Sequence, residues 1–273
     1  MGSYRHYSLE ELIGLLDLEQ IEDNLYRGFH PKDRKRRLFG GQIIGQSLIA
    51  ASRTVEIEKI PHSLHAYFIR PGDWKIPVLF EVERIRNGRS FSTRRVLAVQ
   101  DGEAILSMDI SFQLFEDGLQ HQYREAPSFE PPDKAAMAEG LKQRPFLSFR
   151  EDHKKKMEPH PQLPEQHIWI KANGAVPENH IIHMALLAYQ SDEALLSTAR
   201  LPHRGSYVSE KLQGASLDHS IWFHRPVNVE GWLMYAMDSP ATGNARGYTR
   251  GEIYDENGLL IASCIQEGLM RMQ

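Results

Sequence analysis

Two stretches of this chain are small or apolar almost all the way round: Gly40–Val55, which carries no charge before Arg53, and Ile181–Leu196. A helix with no polar face cannot lie on a surface, so something must wrap it. The segments after each stretch are suited to wrapping. Pro61–Arg70, Val78–Arg86, Ser90–Gln100 and Glu103–Phe115 read as strands after the first, with Asn87-Gly88 and Asp101-Gly102 as hairpin turns. Strands at Gln213–His224, Trp232–Asp238, Arg246–Tyr254 and Leu259–Met270 come after the second. Each helix is preceded by a short strand, at Leu25–Phe29 and His167–Ala172. An opening helix carries Leu9, Leu12, Leu15 and Leu16, with Ser8 and Glu11 placed for a capping box.

The two blocks keep register. Arg70-Pro71 and Arg225-Pro226 lie 155 apart, Asp101-Gly102 and Asn257-Gly258 lie 156 apart, and Gln46-Ser47 and Gln190-Ser191 lie 144 apart. The 11-residue difference falls in one longer connection near Arg200–Leu212. This predicts an α+β fold made of one unit used twice, a pseudo-dimer whose sheets join edge to edge. Boundaries are expected at residues 1–115, 116–165 and 166–273. The middle piece holds seven of the 15 prolines and the run EDHKKK, and reads as a surface linker.

A net charge of −4 and a pI near 6.4 offer nucleic acid no basic excess. The one basic run, Lys32–Arg37, reads as a solvated loop, with a landing place for an anionic ligand tail as the alternative. No window approaches the roughly 20 apolar residues of a membrane span, and the N-terminus has no leader-like apolar stretch. Cys264 is the only cysteine, so no disulfide forms within the chain, and a cytoplasmic location is expected. It lies in an apolar run and reads as core.

A duplicated unit offers two candidate sites, so chemistry should show where the copies differ. Asp192 stands where the first copy has Leu48, Ser216 where it has Pro61, and Gln266 where it has Ile110. A buried carboxylate needs partners. Desolvation would also raise its pKa toward the range of a general base. The alternative is a solvated Asp in the helix's last turn beside Glu193, a strand-start serine and an edge glutamine. All three differences nevertheless fall in one copy. His219 and His224 flank Trp222 without a third partner at metal-ligand spacing, and read as structural or surface histidines. No G-x-S-x-G elbow is present, and GGQIIGQ fits neither a Rossmann nor a Walker pattern.

FGGQIIGQSLIAA (39–51), HAYFIRPGD (65–73), LDHSIWFHRP (217–226) and IASCIQEGLMR (261–271) resemble the acyl-CoA thioesterase II family, bacterial type II and peroxisomal, across about residues 9–271. The resemblance implies a double hot-dog fold, each half a long helix wrapped by an antiparallel sheet. It also implies a catalytic trio of Asp192, Ser216 and Gln266, with Ser216 where the bacterial type has Thr. The implied substrate is acyl-CoA, hydrolysed by Asp-activated water with no cofactor and no metal. A backbone N–H near a helix start, around Gly40-Gly41, is a candidate oxyanion donor that the sequence does not place, and a homo-oligomer, dimer or tetramer, is the expected assembly. A hot-dog hydratase or dehydratase and a non-catalytic acyl-CoA binder are the rival readings.

Overall fold

A computed structural model of the chain describes residues 7–31, 37–128, 144–150, 160–208 and 211–273. All of the basic run except Arg37, and all of EDHKKK, lie outside these residues. The chain opens with α1 (Leu9–Leu16), whose Ser8 Oγ accepts from the Glu11 N–H while Glu11 accepts from the Ser8 N–H. This is the capping box read from sequence, and it directs Leu9, Leu12 and Leu16 inward. Strands β1 (Glu19–Glu22) and β2 (Leu25–Gly28) come next, then α2 (Gly40–Ser52), buried on all sides from Gly41 to Ala51. Strands β3 (Lys59–Phe68), β4 (Val78–Asn87), β5 (Phe91–Gln100) and β6 (Glu103–Leu114) complete the first half.

The second half repeats the order. It comprises β7 (Phe146–Arg150), β8 (Glu165–Ala172), α3 (His180–Ser191), α4 (Leu195–Ala199), β9 (Leu212–Ser216), β10 (Asp218–Phe223), β11 (Leu233–Gly243), β12 (Arg246–Tyr254) and β13 (Leu260–Met272). Among the described residues the strands form one antiparallel sheet in the order β1-β2-β4-β5-β6-β3-β10-β13-β12-β11-β8-β7, with β9 on β13. The halves meet where β3 pairs with β10, and His65 lies opposite Ser220, its own counterpart 155 residues on.

The register read from sequence is visible in single hydrogen bonds. Ile69 and Arg70 both donate to the Ile105 carbonyl, and His224 and Arg225 both donate to that of Ile261. A bulge interrupts the β3–β6 pair just after Pro61. At the matching place in the second half the irregularity splits one expected strand into β9 and β10, with Leu217 between them. An extra residue on one strand bends it and turns its side chains, a common device beside active sites.

Three further elements differ from the sequence reading. The helix expected to reach Leu196 stops at Ser191, and the five-residue α4 packs on the sheet after a turn. Within the stretch read as linker, Phe146–Arg150 form β7 against β8. The short polar strand β1 has no counterpart in the sequence reading.

The helices α2 and α3 run antiparallel at close range. A methyl group on Gly41 would stand 2.3 Å from the Tyr189 carbonyl oxygen, and one on Gly45 would stand 3.1 Å from that of Ala185. Backbone cannot yield as a flexible side chain can, so Gly41→Ala is expected to cost about 1–3 kcal/mol in chemical denaturation. Gly14→Ala, where nothing lies within 4 Å, should instead be neutral or gain up to about 1 kcal/mol from helix propensity.

Candidate active site

Asp192 is the residue at which α3 ends, and it is 8% exposed. It is thus a buried carboxylate, and the solvated-aspartate alternative is excluded. Its own helix is a poor host, because the C-terminal end of a helix dipole is negative. The close antiparallel packing supplies the remedy. The first turn of α2, the positive end of the neighbouring helix, lies against it, and the Gly41 N–H donates to Oδ2 at 2.9 Å. The other oxygen, Oδ1, accepts from Ser216 Oγ at 3.0 Å and from Gln266 Nε2 at 2.7 Å. Donors favour the charged form of a carboxyl and offset the cost of burying it.

The structure therefore brings together the three residues singled out by sequence, each from a different element. Gln266 comes from the centre of β13 and is 1% exposed, while half-buried Ser216 ends β9 at the bulge. A carboxylate oxygen only accepts, so Gln266 presents its amide nitrogen to Asp192. That leaves Gln266 Oε1 buried with no donor among the described residues. Gly40 faces the same carboxylate: a methyl group there would lie 2.9 Å from Oδ2 and 2.6 Å from Phe68.

Gly41, a candidate oxyanion donor, spends its N–H on Asp192 instead. Beside it, His30, Arg37, Phe39, Gln42 and Trp74 border a cavity of about 10 Å³, room for about one water. Of the basic run, only Arg37 is described, and it borders this cavity.

A layer behind the trio fixes the end of α3. Tyr235 Oη donates to the Ser191 carbonyl at 2.8 Å and lies 3.0 Å from Cys264 Sγ. Burial pushes the Tyr235 hydroxyl well above its usual pKa and the Cys264 thiol up to about 12. A buried, protonated thiol is a poor nucleophile. Native protein should therefore give almost no reaction with an aromatic disulfide reagent, and about one thiol per chain after denaturation. Reaction of Cys264 at the rate of a free thiol in the folded state would contradict this.

The two histidines grouped by sequence separate. His224 is exposed and bonded to Ser263, whereas His219 is fully buried 2.8 Å from Ser191 Oγ. The signal for His219 is present in the sequence, since its counterpart 155 residues earlier is Leu64. Among the described residues no group of three or more His, Cys, Asp or Glu is arranged to hold a metal.

Comparison with known proteins decides the family. The family model "Acyl-CoA thioesterase" matches residues 144–269, and "Acyl-CoA thioesterase N-terminal domain" matches residues 30–113. Acyl-coenzyme A thioesterase 8 of Mus musculus is 41% identical, over 95% of this chain and 88% of that protein. The chain belongs to the acyl-CoA thioesterase family. Acyl-CoA thioesterase 2 of Haemophilus influenzae is 37% identical over 96% of this chain and 98% of its own.

Among solved structures, the acyl-CoA thioesterase II from Mycobacterium marinum superposes with a TM-score of 0.83 at 40% identity, covering 97% of both chains. A protein described as having a hot dog fold, from Alicyclobacillus acidocaldarius, reaches 0.77 at 16% identity, covering 96% of this chain and 98% of its own. That likeness carries the fold alone, and it is the hot-dog fold. No helix of the described residues is long and apolar enough to cross a membrane.

Proposed function

We propose that this thioesterase hydrolyses acyl-CoA to a free fatty acid and CoA, with Asp192 as general base for an attacking water. The observation that carries the reading is the convergence of Ser216, Gln266 and the Gly41 N–H on one buried carboxylate, in the half of the molecule where repeat symmetry is broken. Water donates one proton toward Asp192 and its other toward Gln266 Oε1, which is buried and, among the described residues, without a donor. The Ser216 hydroxyl fixes the carboxylate's orientation, so the water's remaining lone pair is aimed at the thioester carbon. Asp192 takes the proton as the water oxygen bonds to that carbon. Collapse of the tetrahedral intermediate breaks the C–S bond, and the thiolate takes the proton back from Asp192. No cofactor enters these steps.

The acyl chain lies in the apolar layer between the paired helices and the sheet. The nucleotide end stays outside, where Arg37 can meet phosphate. The residue boundaries 1–115, 116–165 and 166–273 serve as a description of repeat, connection and catalytic repeat, with β7 belonging to the last by its pairing. A cytoplasmic location accords with a chain whose single cysteine is buried and free. A homo-oligomer, dimer or tetramer, accords with exposed apolar side chains such as Tyr67 and Ile69 where the halves meet.

The test is release of free thiol from short-, medium- and long-chain acyl-CoAs, with the acid product measured in parallel. Equal amounts of thiol and acid are expected from at least one chain length. Binding of every acyl-CoA with no thiol released would overturn hydrolysis in favour of a non-catalytic binder.

A further inference from the structure

A fourth residue breaks the repeat in the same half, and it does not touch the carboxylate. His219 on β10 is 0% exposed and stands where the first half has Leu64, itself 0% exposed. Its Nε2 lies 2.8 Å from Ser191 Oγ. The Ser191 hydroxyl already donates its one hydrogen to the Ala188 carbonyl at 2.9 Å. The ring nitrogen must then be the donor, which sets the tautomer with the proton on Nε2 and leaves Nδ1 as an acceptor. Nδ1 has no partner among the described residues.

The first half shows what the same place looks like without the histidine. Ser47 is the counterpart of Ser191, 144 residues earlier, and its hydroxyl is buried without a partner among the described residues. Ser191 is by contrast held at both its polar groups, its hydroxyl by His219 and its carbonyl by Tyr235. The next residue is Asp192.

We propose that His219 is a positioning residue for the reaction, fastening the last turn of α3 so that Asp192 keeps the geometry in which Ser216, Gln266 and Gly41 reach it. The assignment rests on the reading of Asp192 as the general base. It explains why histidine appears only in the half with the carboxylate. In the half with Leu48, no side chain has to be aimed, and leucine fills the space.

The arrangement acts through distance. A displacement of about 1 Å at a reacting group can cost up to a hundredfold in rate, so loss of the His219–Ser191 bond should be read in turnover. The experiment compares kcat and KM for wild type, His219→Leu, His219→Gln, Ser191→Ala, the His219→Leu/Ser191→Ala double variant and Asp192→Asn. The substrate is the acyl-CoA that the wild type cleaves fastest, and circular dichroism confirms that each variant is folded at the assay temperature.

His219→Leu installs the side chain that the first half tolerates, and kcat should fall by about tenfold or more with KM changed less than about twofold. His219→Gln, which places an amide N–H near the position of Nε2, should recover most of the loss. Ser191→Ala should match His219→Leu, and the double variant should be no slower than either single one, because both remove one interaction. A purely structural histidine would lower the unfolding temperature and leave kcat untouched. Turnover of His219→Leu within about twofold of wild type, or losses that multiply in the double variant, would overturn the proposal while Asp192→Asn stays inactive. Wild-type turnover by Asp192→Asn would overturn the reading of Asp192 and the positioning role with it. If His219→Leu does not fold, Ser191→Ala and His219→Gln carry the same comparison.

Discussion

Asp192→Asn is expected to lower kcat for acyl-CoA hydrolysis by at least about a hundredfold while the protein stays folded. The chemical loss is direct: an amide cannot take a proton from water. A hundredfold corresponds to roughly 3 kcal/mol of barrier. The folding half of the expectation comes from the contacts. The carboxylate accepts on one oxygen from the Gly41 N–H and on the other from Ser216 and Gln266. Asparagine has one oxygen to offer, and the Gly41 N–H, being backbone, has the stronger claim on it. The new NH₂ then faces Ser216, whose hydroxyl can accept, and Gln266, whose amide can turn over to present Oε1. Gly41, Ser216 and Gln266 thus each keep one hydrogen bond to the substituted side chain. The turned glutamine, however, commits the oxygen assigned to the water, so the variant loses the base and a water contact together. Asp192→Ala would leave three donors unpaired, at about 1–3 kcal/mol for each buried one, and its inactivity could be blamed on misfolding. The measurement is thiol release by Asp192→Asn beside its thermal melt. A folded variant that keeps wild-type turnover would remove Asp192 from the mechanism.

The three residues are legible in the sequence because they break the repeat's symmetry. Pattern reading sees what recurs, and at Leu48/Asp192, Pro61/Ser216 and Ile110/Gln266 the recurrence fails in one direction. The fold is legible for a related reason: an all-round apolar helix leaves a short chain few ways to bury it, and a sheet that wraps it is the simplest. The features that escape pattern reading depend on contacts distant in sequence. Ala194, Leu195 and Leu196 continue the apolar spacing of α3, and no glycine or proline marks the stop, so the turn at Asp192 is invisible to periodicity. The strand β7 is five residues among prolines, and what makes it a strand is β8, fifteen or more residues away. The split between β9 and β10 carries no turn residue, since a bulge is set by the partner strand. From sequence, an N–H around Gly40-Gly41 is only a candidate donor to the substrate, and no single group can be placed. Only the packing of two helices, not their sequences, shows that the Gly41 N–H faces a carboxylate.

Acid should destabilise the protein in a window set by two histidines. Burial lowers the pKa of both His30 and His219 from 6.5 to about 4. In the unfolded chain both protonate as pH falls through 6.5, whereas in the native protein neither does until about 4. Between these values the unfolded state binds more protons, so stability falls as pH falls. It is level above about 6.5, and these two groups take nothing further below about 4. Each pKa unit is worth about 1.4 kcal/mol, so each histidine removes about 3 kcal/mol across the window. Burial lowers His62, His183 and His224 as well, which adds in the same direction. Asp218 opposes them: burial raises its carboxyl, so the native state gains its proton first and regains some stability at the acid end. Urea midpoints measured from pH 7 to 4 should therefore decline steeply through the histidine range. His219→Leu should lose about one proton's worth of that slope, because leucine has nothing to titrate. A wild-type profile flat over this range would mean that both rings take up protons inside the folded protein. Protonation there would add a hydrogen at Nδ1 and leave Nε2–H donating to Ser191, so the His219–Ser191 bond would survive the window.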